Sequence, residues 1–453
     1  MKKDFTFLFA VLFLNAAMGQ TSKVPVPTVI GPVTEPGTIF SASTVELSSY
    51  GYLEEEFFLI GNARRFDFDA NPGFAVPVDS LYPYKTRIIV RRPVASEKFN
   101  GTVVVEWLNV SNMLDLDPGW YQSSEHLMRS GYAWVGVSVQ RDGIHNQTGL
   151  RNWNPERYGS LDVTVDSALL QDQIGFDIFS QAIMALKSAQ KIRPLGTFKP
   201  EIIIAMGYSQ SALWLTGYHN YIQSLTKIID GFMIIGAGEK LKTDIHGKVF
   251  KINSETDLIL LGQVDSRQPD NEKIVTWEFS GTSHADKRFL DFYSASLKRD
   301  FGNFSPINCD LPLCSVIPIY YGYAAALDHM NQWIREEIAP PPGIQMPVLQ
   351  AVPEVIIGRD TLGNAFGGIR LPQFDVPTGM NSGINTGQNW FCQFYGTHKT
   401  FDQRTLKSLY ATHQEYMQKF TESVQRNLKD GYILEADTIR MLNEARELSY
   451  LWE

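Results

Sequence analysis

Ser209 is the residue whose setting most clearly suggests chemistry. It lies in Gly207-Tyr208-Ser209-Gln210-Ser211, after the isoleucine-rich run that starts at Ile202 and before a segment of helical character that begins at Ser211. A buried strand that reverses sharply into a helix lifts the residue at the turn above the sheet. Small residues two positions either side let the backbones pass. The pentapeptide is therefore a nucleophile elbow, G-x-S-x-S in place of G-x-S-x-G. A serine hydroxyl is a weak nucleophile near neutral pH and needs a base, and the base needs an orienting acid. His284 is the expected base, because it follows the strand Ile274 to Phe279 on a Gly-Thr-Ser loop. His398 is the alternative, whereas His126, His219 and His329 fall on helices. The acid is Asp257 or Glu255, both just after the strand Val249 to Asn253, with Asp257 favoured. Asp265 and Asp270 are more remote candidates, and Asp286 reads as the cap of the helix after His284. An oxyanion would be met by the backbone amide of Gln210 and by one from Val110 or Ser111.

These residues share one placement. Ser209, Glu255, Asp257 and His284 each follow a predicted strand, and ligand sites in open α/β sheets lie at the carboxyl ends of strands. The elements that must hold them alternate from about residue 86 to 290. Thr86 to Arg92 alternates apolar and basic residues and predicts a half-exposed strand near a sheet edge. Tyr52 to Ala63 reads as a first edge strand, and residues 21 to 50 as an extended arm. Thr102 to Leu108, Tyr132 to Val139 and Gly231 to Ile235 are further strands. Helices are expected over Trp120 to Arg129, Ile174 to Ile192, Ser211 to Gln223 and Tyr323 to Glu337. Gln140 to Leu161 shows no period and reads as a long loop. The alternation predicts an α/β fold, a mostly parallel central sheet with helices on both faces. Residues 287–322 are a candidate lid. The stretch 351–453, glycine-rich and then helical, is a C-terminal extension expected to pack on the same domain.

Composition excludes other classes. The chain has 453 residues, 44% of them hydrophobic, enough for a large core. Its net charge of -9 and the lack of a dense Lys/Arg cluster argue against nucleic acid. No phosphate loop or dinucleotide fingerprint follows a strand, so no cofactor is expected, and no histidine stands at ligand spacing from the cysteines, so no metal is expected. Lys2 and Lys3 precede the apolar stretch Phe5 to Ala17, which is too short to span a bilayer. Residues 1–19 therefore read as a cleavable leader, cut near Gly19-Gln20, and the mature domain as 20–453, exported and without a membrane span. An oxidising compartment permits a disulfide between Cys309 and Cys314, leaving Cys392 over. The sequons at Asn100, Asn109, Asn146 and Asn303 matter only in a glycosylating host, and Asn109 ends a buried strand.

Several longer segments carry a resemblance. V-E-W-L-N-V-S (105–111), P-E-R-Y-G-S-L (155–161), G-Y-S-Q-S (207–211), S-E-T-D (254–257), W-E-F-S-G-T-S-H-A-D (277–286) and G-N-A-F-G-G-I-R-L-P (363–372) resemble the α/β-hydrolase-domain proteins, many of them exported. The likeness runs from about Gly31 to the C-terminus. It implies an α/β-hydrolase fold, with acid and base on S-E-T-D and G-T-S-H-A-D. It leaves Glu255 and Asp257 both open, and it implies that Gly363 to Pro372 packs near the site.

The leading expectation is a secreted serine hydrolase that cleaves a small-molecule ester through an acyl-enzyme. Trp107, Trp120, Tyr121, Trp153 and Tyr158 are candidates to line an apolar pocket or to be core. A catalytically silent binding module on the same fold and an acyltransferase are the competing classes.

Overall fold

The computed structural model describes residues 23–453 apart from 35, 72, 168, 170, 171 and 306. The expected leader lies outside the described residues. A nine-stranded sheet runs through the molecule in the order β1-β2-β3-β5-β4-β6-β7-β8-β9. β1 (Thr28–Ile30), β2 (Tyr52–Asp67) and β3 (Val76–Pro93) pair antiparallel, and β3 pairs antiparallel with β5 (Ala133–Val137). From there β4 (Thr102–Trp107), β6 (Ile202–Tyr208), β7 (Gly231–Ile235), β8 (Lys248–Ser254) and β9 (Ile274–Phe279) continue in parallel.

The pleat divides each strand between two cores. Val103, Val105 and Trp107 of β4, with Ile203 and Ala205 of β6, face one helical layer. That layer holds α1 (Gly175–Lys187) and α2 (Gln210–Gly217). Val104, Ile204 and Met206 face the other, where α3 (Tyr320–Glu336) and the tail helix α4 (His413–Lys429) pack through Trp333, Tyr416 and Phe420. Because both faces are covered, the parallel strands are buried along nearly their whole length, and β6 and β7 are almost continuously apolar instead of alternating.

The prediction for Thr86 to Arg92 is corrected. β3 is an interior strand, and Arg87 and Arg91 are fully buried. Arg87 bonds Asp115 at 2.9 Å and Glu56 at 3.4 Å. Arg91 pairs with Glu54 at 2.7 Å and with Asp117. Each guanidinium thus carries its own counterions inside the protein, which alternation alone does not reveal. The outer edge belongs to β1, so the Tyr52 strand stands one place inward. Gln140 to Leu161 contains three short helices, Arg141–His145, Leu150–Trp153 and Pro155–Tyr158. Among these, Arg157 and Tyr158 both bind Glu56, which makes the segment a buttress of the buried ion network.

The cysteine pairing is corrected too. Cys309 bonds Cys392, and Cys314 is a buried free thiol. The bond joins the stretch after helix α5 (Lys287–Phe301) to the turn around Phe391 of the tail, so it spans two segments 83 residues apart in sequence. Sequence spacing favoured the short loop; tertiary contact decides for the long one.

Candidate active site

Ser209 takes φ 57° and ψ -121°, a conformation sparsely populated by non-glycine residues. The surrounding residues explain how it is held. A Cβ on Gly207 would come within 2.8 Å of the Ser211 carbonyl, so only glycine fits there. Ser211 Oγ accepts from the Tyr208 amide at 2.9 Å and donates to the Tyr208 carbonyl at 3.0 Å, fastening the turn. The second small residue of the elbow is therefore a serine that ties the two arms together. Ser209 N–H donates to Ile235 O of the neighbouring strand at 2.8 Å.

Asp257 lies in the first turn of a short helix, Glu255–Leu260, whose cap is Ser254. Its Oδ2 accepts from Ser254 N at 2.6 Å, and its amide donates to Ser254 Oγ at 3.3 Å. This reciprocal box fixes the carboxylate and leaves Oδ1 for His284 Nδ1, at 2.6 Å. A carboxylate on Nδ1 fixes the tautomer with the proton there and leaves Nε2 as an acceptor. Gly236, at the end of β7, allows this approach: a Cβ there would stand 3.0 Å from the imidazole and 3.2 Å from Asp257 Oδ1. The His284 backbone is clamped as well, since its amide donates to Thr256 Oγ1 at 3.1 Å and its carbonyl accepts from the Tyr208 hydroxyl.

Glu255 does not touch His284. It is fully buried and accepts from Gly281 N at 3.0 Å, from Gly383 N at 3.1 Å and from the Arg359 guanidinium. Its place is beneath the loop that carries His284, where it joins that loop to the tail. Gly363 to Pro372 follows the same loop, with Ile369 N donating to Glu278 O at 2.7 Å and Ser280 Oγ donating to Gly367 O at 2.7 Å. His398 is elsewhere, its Nδ1 against Asn381 Oδ1 at 2.8 Å, and His329 Nε2 meets Gly431 O at 2.8 Å. Asp286 accepts from Phe289 N at 2.9 Å and caps α5, as its position in the sequence suggested. Asp270 accepts from Thr276 N at 2.9 Å and Gly343 N at 2.8 Å, and Asp265 is exposed.

The candidate oxyanion donors differ from one another. Gln210 N–H is at the first position of α2, where no intrahelical acceptor exists. Val110 N–H donates to Gln210 Oε1 at 3.4 Å, a long bond. Ser111 N–H is engaged by Asn109 Oδ1 at 2.8 Å, and Asn109 Nδ2 donates to Tyr208 O at 2.8 Å.

Ser209, Gln210 and His284 line one cavity of about 270 Å³. Its aromatic walls were not visible in the sequence. Phe289 and Tyr293 come from α5, and Trp390, Phe391 and Phe394 from the turn held by the disulfide. The aromatic residues expected there are core or packed against it: Trp107, Trp120, Tyr121 and Tyr158 are buried, and Trp153 rests on the Phe40 ring. A larger open cleft of about 730 Å³ lies near Lys227, His246 and Lys273, at the opposite ends of the strands. Among the described residues no group of three or more His, Cys, Asp or Glu converges as a metal site would, and no helix is long and apolar enough to cross a membrane.

Comparison with known proteins adds the following. The chain is similar to an α/β serine hydrolase without a lid from Xanthomonas campestris, at 13% identity over 55% of this chain and 97% of that one, with a TM-score of 0.28. It is similar to acetyl xylan esterase 1 from Thermoanaerobacterium sp., at 12% identity over 56% of this chain and 81% of that one, with a TM-score of 0.29. It is also similar to the rice cell wall degrading esterase LipA from Xanthomonas oryzae, at 12% identity over 41% of this chain and 42% of that one, with a TM-score of 0.23. No curated protein matches the chain. The model of the alpha/beta hydrolase domain family matches residues 24–443, nearly the whole chain, and the protein belongs to that family.

Proposed function

We propose that the protein is a serine hydrolase of carboxylic esters that works through an acyl-enzyme. The reading rests above all on one observation: His284 Nδ1 stands 2.6 Å from Asp257 Oδ1 while the same imidazole shares a cavity with Ser209 on its strained turn. Ser209 Oγ attacks the ester carbonyl, and His284 Nε2 takes its proton. Asp257 stabilises the imidazolium that forms and stays ionised. The tetrahedral oxyanion is met by the Gln210 N–H at the start of α2 and by the Val110 N–H, whose long bond to Gln210 Oε1 the substrate oxygen replaces. His284 then returns the proton to the leaving alcohol, and water repeats the sequence to release the acid.

The protein is exported after cleavage near Gly19-Gln20. The basic start and short apolar stretch support this, as does the Cys309–Cys392 bond, which needs an oxidising compartment to persist. Sequencing the N-terminus of protein recovered outside the cytoplasm should find Gln20 at or near the start; an intact Met1 would overturn it.

Labelling with a fluorophosphonate probe, beside hydrolysis of a short acetate ester, tests the chemistry. Stoichiometric labelling that Ser209→Ala abolishes, together with acetate release, is the expected result. A folded protein that neither labels nor hydrolyses would overturn the proposal in favour of a binding module. Transfer of the acyl group to an added alcohol in preference to water would make it an acyltransferase.

A further inference from the structure

The lining of the cavity limits what can enter it. None of the described lining residues is Asp, Glu, Lys or Arg, so away from His284 a charged substrate group would find no counterion there. Two aromatic walls face this space. Phe289 and Tyr293 on α5 have ring centroids 6.0 Å apart. On the tail, Trp390 meets Phe394 edge to face at 4.8 Å, and Phe394 reaches the His284 ring at 5.4 Å. Trp390 is 65% exposed, a large apolar ring at the rim. At about 270 Å³ the space is smaller than the range of drug-sized pockets and suits one compact group rather than a long chain.

One polar pair interrupts the aromatic wall. Asn112 Nδ2 donates to the Tyr293 hydroxyl at 2.8 Å, and both residues line the cavity. A phenol that accepts one hydrogen bond keeps its own O–H to donate. It can therefore reward a substituent with an acceptor oxygen.

Resting on the ester-hydrolase reading, we infer that the cavity selects an uncharged ester whose acyl part carries an aromatic ring, with Tyr293 reading an oxygen substituent on that ring. Offset and edge contacts to two aromatic walls favour a ring over a flexible chain of equal carbon number. Burying a carboxylate without a partner disfavours the charged analogue.

The test uses the mature protein with Ser209→Ala, which holds esters without turning them over. Binding of methyl phenylpropanoate, methyl nonanoate and the para-carboxylate derivative of the phenylpropanoate is followed by tryptophan fluorescence. The ring ester should bind about tenfold tighter than the nonanoate. It should bind at least about a hundredfold tighter than the carboxylate. Trp390→Ala should shrink the first ratio, and Tyr293→Phe should remove the advantage of a para-methoxy group over the bare ring. Equal binding of chain and ring, or a carboxylate within about threefold of the neutral ester, would overturn the inference. Fluorophosphonate labelling of the unmodified protein reads the nucleophile independently. A labelled Ser209 with no ring preference overturns this inference alone, and a ring preference with an unlabelled Ser209 overturns the ester-hydrolase reading alone.

Discussion

Glu255 and Asp257 stand in the first turn of one short helix and hold two different parts of the same loop. Asp257 Oδ1 meets the His284 ring at 2.6 Å, and Glu255 Oε2 receives the Gly281 amide at 3.0 Å. Thr256 lies between them and accepts from the His284 amide at 3.1 Å. The segment Ser254 to Asp257 is thus a single seat for the loop after β9, and its two carboxylates divide the work. One faces the imidazole, and the other supports the backbone on which the imidazole is carried.

That division separates two variants. Asp257→Asn keeps the shape but offers an amide where Nδ1–H needs an acceptor, which favours the wrong tautomer. The expected loss in kcat is about 10⁴-fold. Glu255→Gln keeps one acceptor and leaves the half-buried Arg359 without its anion, so stability should fall by about 3 kcal/mol. Its loss of rate should be far smaller than that of Asp257→Asn. Ester turnover and urea unfolding measured on both variants check this. An unchanged unfolding midpoint for Glu255→Gln, joined to a rate loss far larger than that of Asp257→Asn, would reverse the two roles.

The Cys309–Cys392 bond anchors the turn that supplies Trp390, Phe391 and Phe394 to the cavity. The proposed catalytic groups are carried by the segments just after β6, β8 and β9, and the turn meets them at Phe394, whose ring lies 5.4 Å from that of His284 and whose carbonyl accepts from Ala285 N at 2.9 Å. Cys309→Ser with Cys392→Ser should therefore raise KM for a ring-bearing ester several-fold, with kcat changed less. The unfolding free energy should drop by about 2–4 kcal/mol, as loss of a long loop closure predicts. Steady-state kinetics and denaturant unfolding of the double variant measure both effects. A fall in kcat with an unaltered KM would mean that the turn positions His284 rather than the substrate.

What the sequence could disclose follows a physical pattern. Ser209, Asp257 and His284 were visible because each stands just past a strand whose apolar run marks it, and their grouping follows from a parallel sheet. The elbow's second small residue was visible as a type, though not the tie that Ser211 Oγ makes across Tyr208. Arg87 and Arg91 misled because their counterions come from other segments: Glu54 and Glu56 on β2, Asp115 and Asp117 before the helix Pro118–Arg129. The cysteine pairing and the aromatic walls failed for the same reason. Both depend on the tail folding back across the candidate lid, a long-range contact that local periodicity does not encode. Trp107 and Trp120 drew attention as aromatics near loops, but the strand and helix that hold them turn both rings into the core.

Two buried histidines make the fold sensitive to acid. Burial pulls the pKa of His126 from 6.5 down to about 3, with Arg129 adding to the effect. Burial also pulls His219 from 6.5 down to about 4, partly offset by its bond to Asn220. Between pH 6.5 and those values the unfolded chain binds protons that the folded chain refuses, so stability falls as pH drops. The loss by pH 5 is about 2 kcal/mol for each residue. Urea midpoints at pH 7 and pH 5 should differ accordingly, and His126→Gln with His219→Gln should reduce the difference. An unchanged pH dependence in that double variant would assign the acid sensitivity to other groups.

Gln210 offers a sharper test of the oxyanion arrangement, because its backbone and its side chain do opposite things. Its N–H, at the start of α2, is one proposed donor, and no side-chain substitution removes it. Its carboxamide oxygen instead occupies the other proposed donor, Val110 N–H, at 3.4 Å. Gln210→Ala therefore keeps both amides and frees the second. If the backbone pair meets the oxyanion, kcat for a short ester should stay within about threefold of the unmodified enzyme. If the side chain itself were the donor, its removal should cost about 10²–10³ in kcat, the usual penalty for losing one. A loss of that size would move the oxyanion contact from Val110 to the carboxamide nitrogen and would require Gln210 to turn over when substrate binds.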